Sequence, residues 1–252
     1  MSKHSLEKKI VVIAGGAKNL GGLIARDFAA RGVSGIAIHY HSDSSNAAAQ
    51  ETAAAVENLG AKACLVQADL SQVSECTRLF AEAEKQLGSI DIAINTVGMV
   101  LKKAIVDTTE DEYDKMFAAN TKSAYFFLQE AAKHLNDNGK ICTIVTSLLG
   151  AFTGLYSTYA GSKAAVDQFT RGAAKELGAK GISVTAVAPG PMDTPFFYGQ
   201  ESEEAVAYHK SASALGGLTD IKDIAPLVRF LVTEGWWITG QTIFANGGYT
   251  TR

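Results

Sequence analysis

Short apolar runs alternate with longer segments of helical periodicity along the chain. Most of the runs are continuously apolar rather than alternating, which is typical of strands buried on both faces of a sheet. The predicted strands are Ile10–Ala14, Gly35–Tyr40, Ala63–Gln67, Ile90–Asn95, Lys140–Thr146, Ile182–Ala188 and Gln241–Ala245. The predicted helices are Leu20–Arg31, Asn46–Leu59, Gln72–Leu87, Glu110–Leu135, Ser157–Leu177 and Ile221–Val232.

This repeated strand–helix order predicts a parallel sheet, and right-handed crossovers place helices on both sides of it. The fold class is therefore α/β, a single Rossmann-like doubly wound parallel sheet of about seven strands with helices on both faces. The 252 residues are 47% hydrophobic, which is enough to bury a large core. We expect a single dinucleotide-binding and catalytic domain over residues 1–252.

The stretch at about 191–218 shows little regular pattern and is expected to form a substrate lid. It contains two of the four prolines of the chain, the aromatic run Phe196, Phe197 and Tyr198, and an acidic patch from Glu201 to Glu204. Long irregular loops in compact domains commonly serve as lids.

The helix through Ala118–Leu135 has apolar residues on more than one side, because Tyr125, Phe126, Phe127 and Leu128 are consecutive. A helix that is apolar on two sides is buried on two sides. Two explanations stay open, deep packing within one subunit and an interface between subunits.

Composition excludes several classes of partner. The 23 basic and 26 acidic residues give a net charge of −3, which offers no reason to expect nucleic acid or a membrane surface as a partner. No stretch approaches the ~18 apolar residues of a membrane span. The three cysteines Cys64, Cys76 and Cys142 are widely spaced, and Cys64 and Cys142 are expected in the core. We expect no metal site and a cytoplasmic protein.

The pair Tyr159 and Lys163 is the most informative chemical feature. Residues four apart share one face of a helix, so the ammonium can lie beside the phenol and lower its pKa, which is normally ~10. Such a tyrosine could exchange a proton near neutral pH. Ser147 precedes this pair by twelve residues. Each residue alone has an ordinary structural explanation, but their order with the motifs below does not.

A glycine-rich turn from Ala14 to Gly22 connects the first strand to the first helix. Glycines there let the backbone approach a pyrophosphate, and the helix N-terminus supplies amide donors. A tight turn without a ligand is the alternative, and it is disfavoured directly after the first strand of a doubly wound sheet.

Together these motifs resemble the short-chain dehydrogenase/reductase family over nearly the whole chain. The family's glycine turn maps onto Ala14 to Gly21, with Ala14 in place of a threonine and Asn19 in place of the middle glycine. Asparagine tolerates the left-handed backbone region better than other non-glycine residues. The further motifs follow in family order: Asp69-Leu70, Asn95-Thr96-Val97-Gly98, Asn120, Ser147, Tyr159 with Lys163, Pro189-Gly190-Pro191-Met192-Asp193-Thr194 and Asn246-Gly247-Gly248.

The resemblance implies hydride transfer between a nicotinamide and a carbonyl or alcohol, commonly in a homotetramer. It implies that Tyr159 is the general acid or base, that Ser147 donates a hydrogen bond to the carbonyl oxygen, that Lys163 binds the nicotinamide ribose, and that Asn120 holds a proton-relaying water. The implied cofactor-binding residues are Gly15, Lys18, Asn19, Leu20, Gly21, Tyr40, His41, Ser42, Asp69, Leu70, Asn95, Gly98, Pro189, Gly190, Met192 and Thr194.

The end of the second predicted strand indicates the type of nicotinamide. An acidic residue at this position would accept the ribose hydroxyls and repel a 2′-phosphate. The chain has Tyr40 there, followed by His41 and Ser42, and Lys18 adds a positive charge in the glycine turn. We therefore predict NADP(H) over NAD(H), with NAD(H) possible if Asp43 reaches the ribose diol.

The substrate is predicted to be a small carbonyl or alcohol compound, a neutral ketone or aldehyde. The side chains that could line an apolar pocket near Tyr159 are Val97, Met99, Leu149, Phe152, Phe196 and Phe197. The acidic patch of the lid argues against strongly anionic partners such as an acyl carrier protein. Two alternatives stay open: a cofactor-binding sensor that has lost turnover, and other chemistry on the same fold, such as imine reduction.

Overall fold

The structure is a computed structural model, and it describes residues 4–251. Its centre is a seven-stranded sheet in which every neighbouring pair is parallel, with the order β3-β2-β1-β4-β5-β6-β7. The strands are β1 Ile10–Ala14, β2 Gly35–Tyr40, β3 Lys62–Gln67, β4 Ile90–Asn95, β5 Leu135–Ile144, β6 Ser183–Pro189 and β7 Gln241–Ala245. The order reverses between β1 and β4, as in a doubly wound sheet. The predicted fold class is confirmed.

Two apolar layers cover the two faces of this sheet because successive strand residues point to opposite sides. Val11 and Ile13 of β1 pack in one layer with residues of the first and last long helices, among them Phe28 and Val228. Val12, from the same strand, packs in the other layer, whose buried side chains include Leu79, Phe80 and Phe127. Continuously apolar strands therefore fill both layers.

The long helices match the predicted segments to within a few residues, with one exception given below. The helices are α1 Asn19–Ala29, α2 Asn46–Asn58, α3 Val73–Leu87, α4 Glu110–Phe117, α5 Ser123–His134, α6 Ser157–Leu177, α7 Pro195–Tyr198, α8 Glu203–Ala212 and α9 Ile221–Val232. Within residues 4–251, no helix is both long enough and apolar enough to cross a lipid bilayer.

The predicted continuous helix Glu110–Leu135 is wrong in its middle and at its end. A π-helical turn, Ala118–Lys122, separates α4 from α5, and Leu135 already belongs to β5. A single π-helical turn within a helix leaves the apolar pattern almost unchanged, so the sequence periodicity does not reveal it. Such turns are frequent at functional sites, and this one contains Asn120.

The apolar run on α5 divides between the core and the surface. Phe127 is fully buried, and Phe126 and Leu128 pack against the same layer. Tyr125 is exposed, and its ring contacts those of Phe126 and Phe169. Deep packing therefore explains most of the run but not Tyr125.

The segment 191–218 is more regular than predicted, because it forms α7 and α8. Pro195 occupies the first turn of α7, where a missing N–H costs nothing. The Ser202 hydroxyl accepts a hydrogen bond from the amide of Ala205 and caps α8. These local signals for helix starts lie within the stretch that shows no long periodicity.

Candidate active site

The residues singled out in the sequence gather at the carboxyl ends of the central strands. Parallel strands in a doubly wound sheet present their loops at this edge, where such folds bind ligands. The glycine turn follows β1, Asp69 follows β3, Gly98 follows β4 and Ser147 follows β5. The sheet topology therefore brings together segments that lie far apart in the sequence.

The glycine turn has no room for side chains at two positions. Gly15 has φ +75°, and a Cβ there would lie 2.5 Å from Oγ1 of Thr96. A Cβ on Gly21 would lie 2.2 Å from the carbonyl oxygen of Gly15. Asn19 has φ 49°, so it takes the left-handed conformation expected for this asparagine. The turn is thus a close backbone cradle at the start of α1.

Two side chains from outside the turn hold it in place. The Thr96 hydroxyl donates hydrogen bonds to the carbonyls of Ala14, at 2.9 Å, and Gly15, at 3.3 Å. Nδ1 of buried His39 accepts from the amide of Gly15 at 3.0 Å, and Nε2 lies 2.9 Å from the carbonyl oxygen of Ala68. Because the amide can only donate, Nε2 must hold the ring proton. Burial lowers the pKa of His39 to about 4.

A cavity of about 440 Å³ extends from this turn to Tyr159 and Lys163 on α6. Among the predicted cofactor-binding residues, its lining includes Gly15, Lys18, Asn19, Leu20, Gly21, Tyr40, His41, Asp69, Leu70, Gly98, Met192 and Thr194. Four others lie elsewhere. The Ser42 hydroxyl bonds that of Ser44, Asn95 accepts from the amide of Val97, and Pro189 and Gly190 line the neighbouring cavity described below.

The end of β2 lacks an acidic side chain directed into this cavity. Asp43 accepts a hydrogen bond from the Gln67 amide at 3.0 Å and is not part of the cavity lining. Lys18, His41 and Ser45 line the cavity at this end. The alternative in which Asp43 binds a ribose diol therefore finds no support in the geometry.

Tyr159 and Lys163 both lie on α6 and are both buried, but the predicted lowering of the Tyr159 pKa is wrong for this structure. Burial raises the pKa of Tyr159 to about 12, and a hydrogen bond with Thr146 opposes this rise. Nζ of Lys163 donates to the carbonyls of Val97, at 3.1 Å, and Ile144, at 3.2 Å. Burial lowers the pKa of Lys163 to about 8. Tyr159 is therefore protonated near neutral pH and can donate a proton.

Asn120 connects the π-helical turn to the loop after β4. Its Oδ1 accepts from the amide of Met99 at 2.8 Å, and its Nδ2 donates to the Met99 carbonyl and to the Ser162 hydroxyl, each at 2.9 Å. A Cβ on Gly98 would lie 2.9 Å from Nζ of Lys163 and 3.2 Å from Oδ1 of Asn120. Asn120 and Lys163 therefore approach the same point of the backbone.

A second, smaller cavity of about 90 Å³ adjoins the first. Tyr159 lines both cavities, whereas Ser147 lines the second and Lys163 the first. Met192, Thr194 and Phe196 also line both. Ser147, Tyr159 and Lys163 thus lie around the point where the two cavities meet, whereas Asn120 lines neither cavity.

The predicted apolar pocket is partly wrong. Val97 and Met99 line the first cavity, Phe197 lines the second and Phe196 lines both. Phe152 is fully exposed (110%) and lines neither cavity. Leu149 packs instead against the buried cluster formed by Ala124, Val145, Val166, Ala186 and Ala188.

The second cavity has a polar wall that the sequence analysis missed. Tyr156, Glu201, His209 and Tyr249 line it, and Lys102 reaches Glu201 from outside. Glu201 and His209 lie in the segment 191–218, and Tyr156 lies three residues before Tyr159. Residue spacing gave no signal that they meet.

Comparisons with known proteins show the family of the chain. A family model described as enoyl-(acyl carrier protein) reductase matches residues 15–250. The short chain dehydrogenase/reductase AacuN of Aspergillus aculeatus is 33% identical over 260 residues, covering 97% of this chain and 97% of that protein. A short-chain dehydrogenase structure from Oenococcus oeni is 53% identical with a TM-score of 0.79, covering 100% of both chains.

A crystal structure of a Burkholderia cenocepacia protein with bound NADP is 61% identical, with a TM-score of 0.98, and the match covers 100% of this chain and 97% of that one. The fold and the site define an α/β oxidoreductase with a glycine-rich nucleotide turn. The chain belongs to the short-chain dehydrogenase/reductase family. It is thus an oxidoreductase that acts on a small molecule.

Proposed function

We propose that the protein is an NADP(H)-dependent carbonyl reductase or alcohol dehydrogenase. The observation that carries this proposal is the position of Tyr159, which lines both the large cavity beside the glycine turn and the small cavity beside Ser147. A proton donor at this junction can reach a substrate oxygen in one cavity while a cofactor occupies the other. A neutral ketone or aldehyde is the proposed substrate.

The cradle fits a dinucleotide. Gly15 and Gly21 leave the backbone bare where a pyrophosphate would approach the start of α1, and neither position has room for a Cβ. Lys18, His41 and Ser45 line the end of the cavity where a 2′-phosphate would be held. The related Burkholderia cenocepacia structure contains NADP, which supports NADP(H) here. Such a cofactor supplies the hydride when bound.

The chain's own residues would hold and move the proton. Tyr159, protonated at neutral pH, would donate to the carbonyl oxygen during reduction, and Ser147 would donate a hydrogen bond to the same oxygen. Lys163, with a pKa lowered to about 8, can give up a proton near neutral pH. Asn120 fixes the loop at Met99 and faces Gly98 together with Lys163, which suits the proposed relay.

Two further sequence expectations belong to this proposal. The segment 191–218 would act as the lid, since Phe196, Phe197 and Glu201 from it line the second cavity. A homo-oligomer, a dimer or a tetramer, would cover apolar side chains such as Tyr125, which is exposed on α5.

The experiment measures NADPH oxidation with a panel of ketones and aldehydes, for the wild type and Tyr159→Phe. We expect turnover in the wild type and a loss of about a hundredfold or more in the variant, because the general acid is removed. Tyr113→Phe on α4, outside both cavities, is the matched control and should keep wild-type rates. NADPH binding without turnover of any carbonyl would instead indicate a cofactor-binding sensor.

A further inference from the structure

The polar wall of the second cavity is a connected group of five side chains, which we call the Glu201 cluster. It consists of Lys102, Tyr156, Glu201, His209 and Tyr249. The five residues come from the loop after β4, the start of α6, the lid and the C-terminal turn. None of them belongs to the proton-donating group formed by Ser147 and Tyr159.

The Glu201 carboxylate is the centre of this cluster, and its side chain is only 1% exposed. Nζ of Lys102 donates to Oε2 at 2.5 Å, and the Tyr156 hydroxyl donates to Oε1. Nε2 of His209 lies 3.6 Å from Oε2. Nδ1 of His209 lies 2.8 Å from the Tyr249 hydroxyl oxygen. The carboxylate therefore accepts hydrogen bonds from an ammonium and a phenol within the fold.

The hydrogen-bond donors of the cluster point at other atoms of the cluster, not into the cavity. A ring nitrogen with a lone pair would be repelled by the carboxylate, so we assign the His209 proton to Nε2, and the Tyr249 hydroxyl then donates to Nδ1. The Tyr156 hydroxyl and Lys102 are already directed at Glu201. The hydroxyl protons of Tyr156 and Tyr249 are thus used within the cluster, so towards a ligand these two oxygen atoms can act as acceptors.

The cluster has no net charge. Lys102 and Glu201 form an ion pair, and burial lowers the pKa of His209, so the ring is neutral at pH 7. A neutral group lined with acceptors favours a neutral hydrogen-bond donor over an anion or a cation. The other walls of this cavity are mostly apolar and include Val100, Leu148, Pro191, Phe196 and Phe197.

We propose that the substrate is a ketone or aldehyde with an apolar body and, apart from its carbonyl, a hydroxyl group. The hydroxyl donates to an oxygen atom of the Glu201 cluster while the carbonyl lies at Ser147 and Tyr159. The proposal rests on the reductase function proposed above and specifies its substrate class. An analogue without this hydroxyl would lose this hydrogen bond, which lowers transition-state binding.

The test compares kcat/KM for matched pairs of aryl ketones that differ only by a hydroxyl, placed at several distances from the carbonyl. We expect the wild type to favour the hydroxylated member by about tenfold or more at the fitting distance, and Tyr249→Phe to lower this ratio toward one. Tyr208→Phe is the matched control, because Tyr208 lies next to His209 on α8 but is 64% exposed. It should keep the wild-type ratio.

The outcomes separate this inference from the function on which it rests. Equal turnover of both members at every distance, or an unchanged ratio in Tyr249→Phe, would overturn the hydroxyl site and leave the reductase standing. Turnover of no ketone at all would overturn the proposed function instead. The wild-type comparison needs no variant, so a folding defect cannot obscure it.

Discussion

Acid should destabilise this protein through His39, a buried residue outside the proton-transfer group. The neutral ring satisfies both of its neighbours, because Nδ1 accepts from the Gly15 amide at 3.0 Å and Nε2 donates to the Ala68 carbonyl at 2.9 Å. A second ring proton would turn Nδ1 into a donor facing another donor. Protonation of His39 therefore removes a bond that holds the glycine turn to β2.

The size of this effect follows from the pKa. Burial lowers the pKa of His39 from 6.5 to about 4, so between these values the unfolded chain binds a proton that the folded chain does not. The stability contributed by neutral His39 is complete above pH 6.5 and is lost as the pH falls toward 4. From pH ~7.5 to pH ~5 the free energy of unfolding should fall by about 2 kcal/mol from this residue alone.

The assay is denaturant unfolding of the wild type and His39→Asn at both pH values. The Asn amide oxygen can accept from the Gly15 amide and does not titrate, so the variant should lose about 2 kcal/mol less than the wild type on acidification. His41→Asn is the control, because His41 lies two residues on with its side chain 67% exposed. It should keep the full wild-type loss. Parallel losses in the wild type and His39→Asn would refute the reasoning.

Two further predictions concern the large cavity. Gly21→Ala should weaken NADPH binding, measured by fluorescence titration, and lower the free energy of unfolding by about 1–3 kcal/mol, because its Cβ would lie 2.2 Å from the Gly15 carbonyl oxygen. Gly172→Ala on α6 is the control, because a Cβ there meets no atom within 4 Å. It should raise the free energy of unfolding by about 0.5–1 kcal/mol. The kcat/KM with NADPH should exceed that with NADH by about tenfold or more, and Lys18→Ala should lower this ratio. Equal values for the two cofactors would contradict the NADP(H) preference.

Strands and ordered motifs were predictable because each depends on local pattern. The bounds of β1, β2, β4 and β7 agree with the predicted runs, since strands in a parallel sheet are mostly apolar along their length. The left-handed conformation of Asn19 was also expected, because few other side chains accept it. The start of β5 was missed because the irregular stretch between Leu135 and Lys140 has no apolar run.

The remaining differences arise where burial and distant contacts decide the outcome. The shared helix face predicted that Lys163 lowers the pKa of Tyr159. In the structure the ammonium donates to two backbone carbonyls instead, and the loss of solvent around the phenol raises its pKa. The sequence placed Glu201 in an acidic patch with Glu203 and Glu204, but its side chain is buried against Lys102 and Tyr156. Because Glu201 is paired with Lys102 within the fold, the acidic patch repels an anionic partner less than its sequence suggests.

The same burial bears on what the proposed lid, the segment 191–218, would contribute to specificity. A buried carboxylate is costly unless it is paired and hydrogen-bonded, so Lys102 and Tyr156 stabilise the buried position of Glu201 in this segment. Lys102 follows β4 and Tyr156 precedes α6, so Glu201 contacts the same two parts of the chain that carry Met99 and Tyr159. A substrate hydroxyl bound at the Glu201 cluster, as proposed above, would therefore also favour the position of this segment in which Phe196 and Phe197 line the cavity. Recognition of the distal hydroxyl and closure over the carbonyl would then be coupled.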